Sequence, residues 1–242
     1  MILGGFYYFN CMKKIMLFSF ILFSIFACRE GSDMPIQEKK EIAVAQKSLF
    51  DVLPPEKTGI FFLNELKENL NNNGLYYEYY YNGGGVAVAD FNNDGLIDIY
   101  FVHSTESNAL YLNTGKMKFR NVTKTSNSGG EYGFGTGVTL VDINNDGLMD
   151  IYYSKSGKIK DANKRRNELL VNKGWNASGI PLFENQAKKY GLDIPDFTTQ
   201  ATFFDYDKDG DLDMFLINHG IEVYNENNLE NLIKKKSTHR GN

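Results

Sequence analysis

The chain is 242 residues long, carries a formal net charge of −4, and is 42% apolar with 14% aromatic residues. That apolar share suffices for a folded core, and the acidic balance argues against the basic face by which proteins grip nucleic acid. The two cysteines, Cys11 and Cys28, both lie near the N-terminus, which excludes a disulfide framework for the body of the chain.

Lys13 and Lys14 precede an apolar run, Ile15 to Ala27, followed by Cys28. Thirteen residues, eleven of them apolar, are too few to cross a bilayer as a helix but suit the apolar segment of an export signal. Ile25-Phe-Ala27-Cys28 resembles a bacterial lipobox, which implies lipidation at Cys28. The plainer reading is an ordinary signal peptide cut near Ala27. Met12 reads as the natural start, so residues 1–11 are expected to be an over-called extension and 12–28 the signal. Residues 29–49 open with a polar, charged stretch and are expected to tether the domain to a membrane. The expected location is a bacterial cell envelope, with the exported chain held as an outer-membrane lipoprotein.

The next distinctive stretch is Tyr76-Tyr-Glu-Tyr79-Tyr80-Tyr81. Its aromatic content predicts a strand with one tyrosine face buried, although such rings could also stack sugars or anchor a partner. Gly83-Gly84-Gly85 then lets the chain turn.

One acidic loop follows, and it occurs three times. The copies read Asp90-Phe-Asn92-Asn-Asp94-Gly95-Leu96-Ile-Asp98, Asp142-Ile-Asn144-Asn-Asp146-Gly147-Leu148-Met-Asp150 and Asp205-Tyr-Asp207-Lys-Asp209-Gly210-Asp211-Leu-Asp213. Side-chain oxygens at positions one, three, five and nine suit calcium, a hard cation that takes six to eight oxygens. The backbone carbonyls of Leu96, Leu148 and Asp211 at position seven would add a ligand to each of the three sites. Glycine at position six permits the sharp turn. An EF-hand is the competing reading, but its position twelve needs a bidentate Glu, and here that position holds Phe101, Tyr153 and Leu216. The flanks are short β-branched and aromatic runs, so each loop should join two strands, with the ninth aspartate opening the second.

The repeat is larger than the loop. Its first aspartates fall at 90, 142 and 205, 52 and then 63 residues apart. Asn108-Ala-Leu-Tyr-Leu-Asn113-Thr-Gly115 matches Asn167-Glu-Leu-Leu-Val-Asn172-Lys-Gly174, and Lys118-Phe119-Arg-Asn121 matches Leu182-Phe183-Glu-Asn185. Four strands in a period near 50 residues describe a propeller blade. The expected fold is all-β: a partial β-propeller of about three four-stranded blades over residues 50–220, with calcium-binding inter-strand loops.

Gly133-Phe134-Gly135-Thr-Gly137-Val138-Thr-Leu-Val-Asp142 resembles the FG-GAP or VCBS repeats of the integrin-alpha-like propeller superfamily. Tyr80 to Asp90, Arg165 to Leu169 and Thr199 to Asp205 resemble blade landmarks of a narrower group, bacterial lipoproteins similar to a cartilage acidic protein. The resemblance runs from about Phe50 to His219. It implies a calcium-bearing propeller at the cell surface and names no reaction.

Propellers close with about four to eight blades, and only three acidic loops are present, with no ASPIC/UnbV segment of the kind that group often carries. A truncated propeller is expected, or an oligomer that closes the ring between chains. After His219 no third Asn-flanked strand follows. Residues 221–242 are expected to be a helical tail or truncated blade, with Asn228 to Lys236 forming an amphipathic helix.

Other candidate groups are sparse. His103, His219 and His239 have no Cys or second His at ligand spacing, and the first two read as hydrogen-bonded strand-end residues or as parts of a site on one face. Lys164-Arg165-Arg166 reads as a solvated loop or a grip for an acidic ligand. No nucleophile elbow, phosphate loop or zinc-helix motif occurs. The expectation is therefore a non-enzymatic surface module that binds a protein or glycan. The alternative is the N-terminal fragment of a calcium-dependent envelope enzyme whose catalytic part lies elsewhere. The expected partners are a protein or glycan and, through the lipid, the membrane, with no nucleic acid.

Overall fold

The computed structural model describes residues 48–70 and 72–220. The export signal, Cys28, most of the tether, His239 and the expected C-terminal helix lie outside them. The chain divides into two compact units at Asp51/Val52, and everything below concerns the second.

Each acidic loop joins two antiparallel strands. β1 (Val86–Ala89) pairs with β2 (Asp98–Phe101), β5 (Phe134–Val141) with β6 (Asp150–Ser156), and β9 (Thr198–Phe204) with β10 (Asp213–Asn218). The ninth aspartate opens the second strand each time. The Asn-flanked runs form the third strands, β3 (Ala109–Asn113) and β7 (Glu168–Trp175), and the Phe-bearing runs form the fourth, β4 (Phe119–Asn121) and β8 (Pro181–Asn185). Two four-stranded meanders result, β1-β2-β3-β4 and β5-β6-β7-β8. The third repeat differs from the expected four strands: among the described residues its sheet holds only β9 and β10.

The sheets stack face to face. Phe91, Tyr100, Val102, Leu110 and Leu112 of the first repeat pack with Ile151, Tyr153, Leu170 and Phe183 of the second. On the opposite face of the second sheet, Tyr152, Leu169 and Val171 meet Ala201, Phe203, Met214 and Leu216 of the third. Alternate residues of β6 thus face opposite neighbours, and all seven are buried. The outer face of the first sheet is covered by Ile60 and Phe62, with Phe62 stacked on Phe101 at 4.7 Å between ring centroids.

Tyr76 to Tyr81 is not the expected strand but a run of turns. The Asn73 side chain accepts hydrogen bonds from the Leu75 and Tyr76 amides, and Tyr77 N–H and Tyr80 N–H return to the carbonyls of Asn73 and Tyr77. An Asn beside Gly74 favours this local turn over an extended run. The buried tyrosines are consequently Tyr77 and Tyr80, three residues apart.

One side chain links both four-stranded sheets. Asn172, fully buried, donates through Nδ2 to Phe91 O of the first loop at 2.9 Å and to Met149 O of the second at 3.4 Å. Its Oδ1 accepts from Gly174 N–H at 3.0 Å. Its counterpart Asn113 makes the equivalent bonds within its own sheet, to Ile97 O and from Gly115 N–H. Asn172→Ala should therefore lose roughly 2–4 kcal/mol in urea unfolding, because buried carbonyls lose their donors. Asn113→Ala should lose less. Equal losses in the two variants would show that the bond between sheets contributes nothing.

Candidate metal centre

The three loops fold alike. The first aspartate accepts the amide of position five through one oxygen: Asp94 N–H to Asp90 at 3.1 Å, Asp146 N–H to Asp142 at 2.9 Å and Asp209 N–H to Asp205 at 3.2 Å. Its other oxygen accepts the glycine amide, from Gly95 at 2.7 Å, Gly147 at 2.8 Å and Gly210 at 3.1 Å. The fifth-position carboxylates of Asp94, Asp146 and Asp209 then accept the amides of Leu96, Leu148 and Asp211. Two left-handed residues wind the chain around these oxygens. Position four has φ of 55°, 55° and 64° at Asn93, Asn145 and Lys208, and position six is glycine, the residue that tolerates this conformation best.

The ninth aspartates hold the strands. Asp98 and Asp150 are fully buried, and each accepts two backbone amides. One oxygen takes position two of its own loop (Phe91 or Ile143), both at 3.0 Å. The other takes the end of the third strand, Asn113 N–H at 2.8 Å or Asn172 N–H at 2.7 Å. Burial pushes both carboxyls up to about 6, against the pull of those amides. Each oxygen keeps a second lone pair, so this bracing role leaves room for a ligand role. Among the described residues Asp213 makes the first bond only, from Tyr206 N–H at 2.8 Å.

Two observations fit a cation to these residues. In the third loop, one carboxylate oxygen each of Asp205, Asp207 and Asp209 lie within 4.8 Å of one another. In the first loop, Asn92 is buried, and its amide orientation is set by two acceptors, Asp94 Oδ2 at 3.0 Å and Gly179 O at 2.9 Å. That leaves Asn92 Oδ1 buried with no hydrogen-bond partner among the described residues. A hard cation that takes amide oxygens is a ligand this third-position oxygen could satisfy. Asn144 and Asp207 are exposed.

The remaining candidates separate clearly. His103 is buried, and its Nδ1 accepts the Thr105 and Glu106 amides, as a strand-end histidine should. His219 instead meets Tyr77 Oη at 3.0 Å and Ser156 Oγ at 2.7 Å through Nε2. Arg165 and Arg166 bind carbonyls of their own fold, Pro195 O and Asp193 O, and Arg166 pairs with Asp193 at 3.0 Å. Those two are committed internally. Sequence reading also missed a buried pair, Lys155 with Glu168, since adjacent strands bring these groups together without any motif. Glu168 further accepts Glu131 N–H at 3.0 Å and Asn185 Nδ2 at 3.2 Å.

With this geometry in place, the class is definable: stacked antiparallel sheets whose first strand pair carries an acidic loop. Residues 90–153 match the FG-GAP-like repeat family. The chain is also similar to cartilage acidic protein 1, at 27% identity over 168 residues of the mouse protein and 28% over 166 residues of the human one. Each alignment covers 66% of this chain but only 23% and 22% of those proteins, so the chain spans less than a quarter of the curated relatives it matches.

Lys155→Met should cost about 3–5 kcal/mol in denaturant unfolding, because it strands Glu168 as a buried charge. A loss under about 1 kcal/mol would show that the Glu131 and Asn185 donors alone satisfy that carboxylate.

Proposed function

We propose that this chain is a calcium-binding, surface-anchored propeller module that holds a protein or glycan partner and carries no catalytic centre of its own. The observation that carries the metal reading is the first loop's buried Asn92 Oδ1, an acceptor at a ligand position without a donor among the described residues. The ligands would be Asp90, Asn92, Asp94, the Leu96 carbonyl and Asp98 in the first loop. Asp142, Asn144, Asp146, Leu148 and Asp150 serve the second, and Asp205, Asp207, Asp209, Asp211 and Asp213 the third. Bound calcium would offset the mutual repulsion of each loop's carboxylates and fix the turn between paired strands. Anchoring rests on the N-terminal apolar run and on Cys28 as the lipid acceptor. The outer face of β10 supplies apolar surface for a partner, with Phe215 and Ile217 59% and 48% exposed.

Two opposing effects order the sites. At its side-chain ligand positions the third loop has four carboxylates, Asp205, Asp207, Asp209 and Asp213, against three in each of the others, which strengthens attraction for a divalent cation. Its exposure weakens that gain, since a pair of unit charges 4 Å apart is worth only about 1 kcal/mol in bulk water. The first loop relieves a buried unsatisfied oxygen, worth about 1–3 kcal/mol. The second loop has neither advantage and should bind most weakly.

Binding at ten times the dissociation constant contributes about 1.4 kcal/mol per site. Three sites should therefore raise the melting temperature by roughly 10 °C between chelator and calcium at a few millimolar. A cooperative melt indifferent to calcium would sink the metal reading. In calorimetric titration, Asp207→Asn should lower the third affinity toward that of the second loop. Asp90→Ala should abolish one site and reduce the calcium-dependent rise in melting temperature. An unchanged titration in Asp207→Asn would refute the charge argument, and an unchanged rise in Asp90→Ala would remove the first loop from the ligand set.

A further inference from the structure

Beyond the ends of β2 and β6, on the side away from the acidic loops, lies a cavity of about 220 Å³. Its walls are the segments that follow those strands, 104–106 and 157–159, together with the approach to β5 and the tyrosine turns. Tyr77, Tyr80 and Phe134 are the buried rings of its lining and pack on one another. The hydroxyls of the two tyrosines are taken up, Tyr80 by Lys67 O at 3.1 Å and Tyr77 by Ser156 Oγ at 3.0 Å. What these rings offer a ligand is therefore carbon surface.

The rest of the lining is polar and carries a charge without a partner. Lys158 is half-buried, with Nζ 4.2 Å from the centroid of the Tyr76 ring. Among the described residues no carboxylate pairs with it and no acceptor takes its protons. A ring face compensates part of the cost of drawing an ammonium out of water, and an anion would compensate the rest. The other two lining charges, Lys67 and Glu106, pair with each other at 3.2 Å. One uncompensated positive charge thus lines a cavity in a chain whose net charge is −4. Beside it, the phenols of Tyr76 and Tyr132 and the carboxamide of Asn72 make no hydrogen bond among the described residues, and Tyr132 is 65% exposed.

We infer that this cavity holds one acidic saccharide unit, a hexuronate, with its carboxylate on Lys158. Its hydroxyls would meet Tyr76, Tyr132 and Asn72, and its C–H surface the buried rings. Drug-sized ligands take cavities of about 300–1,000 Å³, so this one suits a single ring. An acidic peptide fits less well, because the lining is turns and loops and gives its main chain no strand edge to pair with. A phosphate fits less well too, since the amides of Ser104, Thr105 and Glu106 are all given internally, to Asn64 Oδ1 and His103 Nδ1. The inference rests on the glycan half of the proposed function and is independent of calcium.

The probes are methyl glucuronide and methyl glucoside, which share a ring and differ in the carboxylate, titrated into the full chain and followed by ligand-detected NMR. The glucuronide should bind, one per chain, and the glucoside roughly tenfold more weakly. Lys158→Gln should lower the glucuronide affinity to that of the glucoside, and Lys158→Arg should retain it. Lys164→Gln removes the same charge from a residue over Tyr132 but outside the lining, and should change nothing. Equal binding of the two glycosides overturns the proposal, as does an equal loss in Lys158→Gln and Lys164→Gln. Tighter binding of triglutamate than of the glucuronide would assign the cavity to an acidic peptide instead. Glucuronide binding that Lys158→Gln leaves intact would remove this cavity while the glycan reading stands. Binding of neither glycoside would remove both and leave only a protein partner for the module.

Discussion

The ninth aspartate of each acidic loop is the constraint on which the two complete sheets depend. Asp98 and Asp150 are buried carboxylates that each bind two backbone amides, one from the start of their own loop and one from the end of the third strand. A single side chain thus fixes the turn between strands one and two and the register of strand three. Burying a carboxylate is costly, and desolvation lifts both to about 6. Two amide donors offset that cost, and they exist only when loop and third strand are both in place. The bond therefore makes formation of the sheet cooperative rather than sequential.

Stacking follows from the same repeat. Each short sheet has two apolar faces, so it is stable only between neighbours. Sheet two has them, with the first sheet against Ile151 and Tyr153 and the third against Tyr152 and Leu169. Its β6 can accordingly carry Lys155 in the interior, because Glu168 on the adjacent strand supplies the counter-charge. Sheet one borrows a cover from Ile60 and Phe62, which precede it in the chain. Sheet three has a neighbour on one face only among the described residues.

Much of this was legible in the sequence, because the signals were local and repeated. Acidic residues at fixed spacing, a glycine at position six and β-branched flanks placed six strands and three loops. Asn108 and Asn167 marked the third strands by the same logic. What failed had other causes. The tyrosine run looked extended by propensity, but the Asn73 side chain and Gly74 closed a turn that composition does not register. The Lys155–Glu168 pair and the His219 contacts with Tyr77 and Ser156 arise from strands and segments brought together by folding, so no spacing rule could find them. Asn92 was legible as a ligand, but not as a buried one. Its burial depends on the turn at Gly179, 87 residues away.

That last contact shows how the loops are linked along the stack. The first loop is clamped by the sheet that follows it, through Asn172 to Phe91 O and Gly179 O to Asn92. Both clamps come from the third strand and the turn after it, the parts the third sheet lacks among the described residues. The second loop, identical in its ligand types, is for that reason open: Asn144 is exposed where Asn92 is buried. The difference between these two loops therefore lies outside them. Any cation held by one loop would also be held by the completeness of the next sheet. Metal binding and sheet assembly would then be one coupled equilibrium, in which each cation would favour the docking of the following repeat and each docked repeat would close the preceding site.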